Sequence, residues 1–163
     1  MDSSTDSSTD SSTVEDLAPA PDMNRAFFYD VTKMPLQHTV DLYNALEGDA
    51  KERFYKTFGD GSGIHGKVIC ASDVLSISLV IADPGTHVGR HRHGKTQVTF
   101  MLKGELKYGA RTVTAGMGLY TPDRPYTWVA GPEGAEFIEI HSGIPGMIID
   151  GVDIALNAAP MHT

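Results

Sequence analysis

His91 and His93 stand in the run Pro84-Gly85-Thr86-His87-Val88-Gly89-Arg90-His91-Arg92-His93. Side chains alternate between the faces of a strand, so histidines two residues apart point the same way and can offer two imidazole nitrogens to one ion. Alone, the pair is a weak signal, because a chain of 163 residues with seven histidines readily produces that spacing by chance. Its frame is more specific: Gly85 lies six residues before His91, Gln97 four after His93, and Gly104 seven after Gln97. Gln97 can add a carbonyl oxygen but no charge, which leaves a bound divalent ion a stronger Lewis acid than a carboxylate would. Tyr126 is a poor ligand as a neutral phenol, yet beside a cation its pKa falls, and it then becomes a phenolate ligand or a general base. His87 shares the parity of His91 and lies just upstream, as a candidate third imidazole or catalytic group.

The frame resembles the first motif of the cupin superfamily: a glycine, five residues, His-x-His, three or four residues, a glutamate, six residues and a glycine. Gly85, His91, His93 and Gly104 match it, with Gln97 in the glutamate position. The second motif is met only by Gly116 and Pro122, and Arg124 replaces its second glycine. Strict spacing puts Thr127 where cupins carry a further histidine, and a turn one residue shorter puts Tyr126 there. The likeness spans residues 66–142. It implies an all-β chain, a double-stranded β-helix or jelly-roll barrel with a short N-terminal helical segment. Cupins usually hold Fe, Mn, Ni or Zn on three histidines and a glutamate. The resemblance therefore implies a divalent transition metal, Fe(II) first, held by His91, His93 and Gln97, with Tyr126 and His87 as catalytic groups. The activity it points to is that of a mononuclear non-haem dioxygenase acting on a small carbonyl or diketone-like molecule. A redox-neutral lyase or isomerase and a non-catalytic small-ligand binder are the alternatives.

The elements that must position these groups read as follows. Residues 1–22 open with three Asp-Ser-Ser-Thr copies and close on a Pro-rich linker, a composition that cannot offset its ordering entropy and is expected to be disordered. The cupin domain takes 23–163, beginning with the aromatic run Arg25 to Tyr29, which suits an edge strand. A helix is expected over His38 to Glu47, stopped by Gly48, and a second from an Asp49/Glu52 capping box to Gly59. From Gly66 onward, short β-branched runs broken by Gly and Pro predict strands, among them Gln97–Leu102, Glu105–Tyr108, Tyr126–Val129 and Glu136–His141. In the last of these, Phe137, Glu139 and His141 share one face and Ile138 and Ile140 the other. With the isoleucines in the core, Glu139 and His141 face solvent or a partner; Phe137 on their face weighs against this, and the opposite register places Glu139 and His141 inside the barrel as further candidate polar groups. Tyr120, Trp128, Phe100 and Met101 are expected to pack inside.

Charge limits the partners. The net of -8 is concentrated early, since six of the 21 acidic residues precede Arg25 and leave 15 against 13 basic ones. A near-neutral domain has no footprint for nucleic acid or an anionic membrane. The single Cys70 excludes an internal disulfide or a Cys-based zinc cluster and reads as a buried apolar group. Without a signal-like leader or an apolar run of about 18 residues, a cytoplasmic protein is expected. A small-molecule substrate and a homodimer that covers an edge strand complete the expectation.

Overall fold

The computed structural model describes residues 23–43 and 47–154, so the expected tail and linker over 1–22 lie outside the described residues. In chain order come β1 (Gln37–His38), a 3-10 turn (Thr39–Tyr43), α1 (Gly48–Phe58), β2 (Ile64–Ala71) and β3 (Ser76–Ala82). They are followed by β4 (His87–His91), β5 (Thr96–Tyr108), β6 (Arg111–Thr114), β7 (Gly118–Pro122), β8 (Tyr126–His141), β9 (Met147–Ile149) and β10 (Val152–Ile154). Eight strands form one antiparallel sheet in the order β1-β2-β3-β8-β5-β6, with β4 also on β8 and β7 also on β5, while β9 and β10 make a hairpin. No helix among the described residues is long and apolar enough to cross a membrane.

β5 and β8 form the spine. In register, Gln97 opposes His141, Thr99 opposes Glu139 and Met101 opposes Phe137, and alternation sends this set to one face. Phe137 and Met101 are fully buried there, and Trp128 packs edge-on against Phe137 with ring centroids 6.0 Å apart. Both β5 and β8 are longer than the paired short runs expected from the sequence, because bulges between Met101 and Lys103 and between Gly104 and Leu106 bend the pair without ending it. Gly104 is required at that bend: its φ is +68°, and a Cβ would collide with the carbonyl oxygen of Gly134. Gly85 holds φ +72° in the turn before β4 with open space around it, so there the need is conformational.

Several expectations are corrected. Arg25 to Tyr29 is not a strand but irregular chain with Phe28 fully exposed, because no neighbouring strand pairs with it. Only a 3-10 turn covers Thr39–Tyr43, and Gly48 begins α1 instead of stopping a helix. Asp49 accordingly lies inside α1, and Glu47 at its start makes no side-chain cap. β7 arises from a Gly-Leu-Tyr-Thr-Pro run that lacked a strong strand signal. Phe100 and Tyr120 are exposed, not packed, while Met101 and Trp128 are buried as expected. Cys70 is buried and free. Most consequential, the parity of β8 is the reverse of that expected. Packing of Phe137 against Trp128 turns its face inward and brings Glu139 and His141 with it.

Candidate functional site

The histidine pair is fixed mainly by backbone. β4 pairs with β8 at His87 with Val129, Val88 with Trp128 and His91 with Tyr126, which leaves one extra residue on β4 between Val88 and His91. This bulge breaks the parity that linked His87 to His91. His91 is buried, whereas His87 is exposed and its Nε2 lies 3.4 Å from the Thr127 hydroxyl on the outer surface. Neither His87 nor Thr127 is brought to the cluster. Beyond β4, Arg92 exchanges two backbone hydrogen bonds with Ile148 of β9, and Gly146 N–H donates to the His93 carbonyl at 3.0 Å. Asp123, at the turn before β8, accepts from the Arg92 guanidinium and from Gly94 N–H at 2.8 Å, tying the loop after His93 to that turn.

Ring contacts then set the tautomers. His91 Nδ1 faces the Gly89 carbonyl at 2.8 Å and His93 Nδ1 the Gly146 carbonyl at 2.9 Å. A carbonyl only accepts, so both Nδ1 atoms carry the proton and both Nε2 atoms keep a lone pair. Orientation of a ligating histidine through such an outer hydrogen bond is the usual way to prepare it for a metal. The rings of His91 and His93 lie 5.0 Å apart, and the His141 ring lies 4.9 Å from that of His93. His141 is 3% exposed, and neither of its ring nitrogens has a hydrogen-bond partner.

Gln97, by contrast, is saturated. Its amide donates to Thr99 Oγ1 at 3.0 Å and to Glu139 Oε1 at 2.9 Å, and its carbonyl oxygen accepts from the Tyr126 hydroxyl at 2.7 Å. That hydroxyl has one proton and a second acceptor, His93 Nε2, at 3.1 Å. The shorter contact takes the proton, leaving the His93 lone pair uncommitted.

Electrostatics follow burial. Desolvation and the neighbouring His93 push His91 and His141 down to about 3, so both are neutral. His93 is lowered by desolvation as well, against the pull of the Gly146 hydrogen bond. Desolvation raises Glu139 to about 7, opposed by the Gln97 amide. Tyr126 is driven well above its ordinary value by burial, then by Glu139 and Tyr108. Without a cation beside it, it is therefore a neutral hydrogen-bond donor.

These groups border a predominantly apolar cavity of about 140 Å³ whose wall includes Phe58, Trp128, Phe137 and Met147. Its polar wall includes His65, His91, His93, Glu139 and His141, while Gln97 and Tyr126 do not reach it. Among the described residues, no group of three or more His, Cys, Asp or Glu side chains stands already placed to hold a metal ion. The donor chemistry nevertheless fits a first-row divalent ion: two imidazoles are pre-oriented by backbone carbonyls and a third is buried without a partner. For Glu139 and His141 the structure selects the inward register, the alternative to which Phe137, an aromatic residue sharing their parity, pointed.

No family model and no curated protein matches the sequence. Solved structures do resemble the fold. An RmlC-like cupin protein from Ralstonia eutropha is 17% identical over 80% of this chain and 76% of its own, with a TM-score of 0.57. A proposed acetylacetone dioxygenase from Methylibium petroleiphilum is 17% identical over 81% and 88%, with a TM-score of 0.58. A second Ralstonia eutropha protein, of unknown function and cupin-like fold, is 21% identical over 61% and 67%, with a TM-score of 0.52. At these identities the likeness is one of fold, and the fold of this chain is that of a cupin.

Proposed function

We propose that this cupin is a metal-dependent enzyme acting on a small carbonyl or diketone-like molecule, with dioxygenase chemistry the leading reaction. The observation that carries the reading is the cavity wall, where two histidines oriented by backbone carbonyls and the half-buried Glu139 carboxylate stand among apolar side chains. A cavity near 140 Å³ suits a compact molecule, since an engineered apolar cavity of about 150 Å³ accepts benzene. His91 and His93 would hold the ion, Fe(II) before Mn, Ni or Zn, which when bound supplies Lewis acidity and, as iron, dioxygen chemistry.

The remaining roles belong to the chain. Trp128 and Phe137 exclude water and pack against the apolar part of the substrate. Among the described residues, Glu139 is the only carboxylate on the cavity wall. It can take a proton from the carbon between two carbonyls, with the C–H electron pair passing to a carbonyl oxygen. Gln97 orients Glu139 through its amide, and Tyr126 orients Gln97 in turn. The Gln97 carbonyl, given to the metal in the sequence reading, is occupied by Tyr126, so Gln97 acts here as a positioning residue. Glu139 beside His141 also supports a second reading, redox-neutral proton transfer by a lyase or isomerase.

The test is elemental analysis of protein purified without chelator or His-tag, followed by dioxygen uptake with acetylacetone and related β-diketones. One equivalent of iron with substrate-dependent uptake supports the dioxygenase. Turnover without uptake selects the redox-neutral reading, and absence of bound metal after anaerobic reconstitution overturns both. The buried single Cys70 accords with a reducing compartment, to which we assign the protein, the cytoplasm. A homodimer is proposed through the outer face of β5 and β7, where Val98, Phe100, Leu102 and Tyr120 are exposed together. Phe100 and Tyr120 alone leave roughly 200 Å² open. With their neighbours that is enough for the apolar centre of an interface of about 800 Å² per partner.

A further inference from the structure

We propose that His141, at the far end of β8, supplies the third imidazole of the metal centre, in place of a ligand at Tyr126. The inference rests on the metal-dependent reading above and deepens it, because the sequence frame offers only Gln97, Tyr126 and His87 as partners for the histidine pair.

Three observations converge on His141. First, the side chain is 3% exposed, yet Nδ1 and Nε2 both lack a hydrogen-bond partner. Leaving a buried donor or acceptor unsatisfied costs about 1–3 kcal/mol per group, so the cavity that His141 lines is where its partner must sit. Second, position: His141 opposes Gln97 across the β5–β8 pair and shares a cavity wall with His91 and His93. Its ring is as near to His93 as the His91 ring is, 4.9 against 5.0 Å between centroids. Third, the competing donors are spent. The Tyr126 hydroxyl and the Gln97 carbonyl satisfy each other at 2.7 Å, and neither residue reaches the cavity. His87 is on the outer surface. Of the four histidines on the cavity wall, His65 turns Nε2 to Asp83 at 3.3 Å, so the three whose rings pack together are His91, His93 and His141, a set suited to a borderline divalent ion.

A structural histidine that only fills space would be indifferent to metal. The experiment is therefore a Co(II) titration of the full chain, with affinity and the visible ligand-field spectrum as readouts, independent of turnover. Wild type is compared with His91→Ala, His141→Leu, His141→Ala and Tyr126→Phe. Disturbing an outer-shell partner of a metal ligand weakens affinity about 10–100-fold. Loss of a ligand itself is expected to cost about 100-fold or more in both His141 variants, with a changed spectrum, while Tyr126→Phe stays within that outer-shell range and keeps the wild-type spectrum. Folding is controlled by stability without metal: His141→Leu removes two orphaned polar atoms and is expected to melt higher than metal-free wild type. If both His141 variants fold and bind Co(II) like wild type while His91→Ala does not, the His141 assignment is overturned and the metal-dependent reading survives. If wild type itself fails to bind Co(II), the metal-dependent reading falls and the assignment with it.

Discussion

Replacing Gln97 by Glu restores the residue found at that position of the cupin motif, and here it is expected to destabilise the metal-free protein. Gln97 is 1% exposed, and its amide donates to Glu139 Oε1 at 2.9 Å. A carboxylate at 97 would face a second carboxylate across that distance. With both ionised, the repulsion at an effective dielectric of 20 is about 6 kcal/mol. Keeping the new carboxyl protonated at pH 7, against an unfolded value of 4.5, costs about 3 kcal/mol. Protonation is the cheaper route, so about 3 kcal/mol is the expected loss at pH 7. A carboxyl whose folded pKa is raised stabilises below its unfolded value and loses that contribution as pH rises, so at pH 5 the loss should shrink to under about 1 kcal/mol. Adding Glu139→Gln returns one charge and one amide to the pair and should recover most of the loss. Urea unfolding of chelated wild type, both single variants and the double variant at pH 7 and pH 5 measures the cycle. A Gln97→Glu protein as stable as wild type, a loss unchanged at pH 5, or no recovery in the double variant would each refute the reasoning.

Metal-free wild type should itself lose stability from pH 7 to pH 5. His91 and His141, held near 3, stay neutral while the unfolded chain protonates around 6.5, which costs about 2 kcal/mol each over that window. Glu139, raised to about 7, works the other way and offsets about 2 kcal/mol, so the net loss is about 2 kcal/mol before the same-signed contribution of His93. Urea midpoints check this, and a flat or inverted profile contradicts it. The two framing glycines separate conformation from space: Gly85→Ala should cost about 1–2 kcal/mol for its left-handed backbone. Gly104→Ala, which adds a collision with Gly134, should cost about 3 kcal/mol or more. On the outer face, Phe100→Lys should convert the proposed dimer to monomer in sedimentation without changing Co(II) affinity, because alternation places it opposite the face of Gln97. A wild-type monomer rejects that interface.

What was legible in the sequence is what spacing encodes locally. His91 and His93 come from one strand-length of alternation, and Gly85 and Gly104 are where the backbone turns left-handed before β4 and at the β5 bend. The parity of Phe137, Glu139 and His141 was equally legible. Which face turns inward was not, because the packing of Phe137 on Trp128 decides it, a contact between two parts of β8 that local pattern does not report. His87 failed for a different reason: a single inserted residue between Val88 and His91 reverses parity, and no residue type in that run marks it.

The departures at Gln97 and Tyr126 become intelligible once β8 is turned the right way. Two buried carboxylates at hydrogen-bond distance cannot both ionise, so with Glu139 opposite Thr99 the neighbouring position on β5 is better filled by an amide that donates to it. Tyr126 follows from the same constraint, since its hydroxyl supplies the donor that the Gln97 carbonyl needs in a site closed to water. Three clustered histidines, His91, His93 and His141, and one glutamate border the cavity among its described lining residues, and in the proposed centre the acid and the third imidazole come from the Glu-x-His end of β8. Gln97→Glu and His141→Leu therefore probe two halves of one arrangement. If the negative charge sits on β8, moving it back to β5 is tolerated only when Glu139 gives it up.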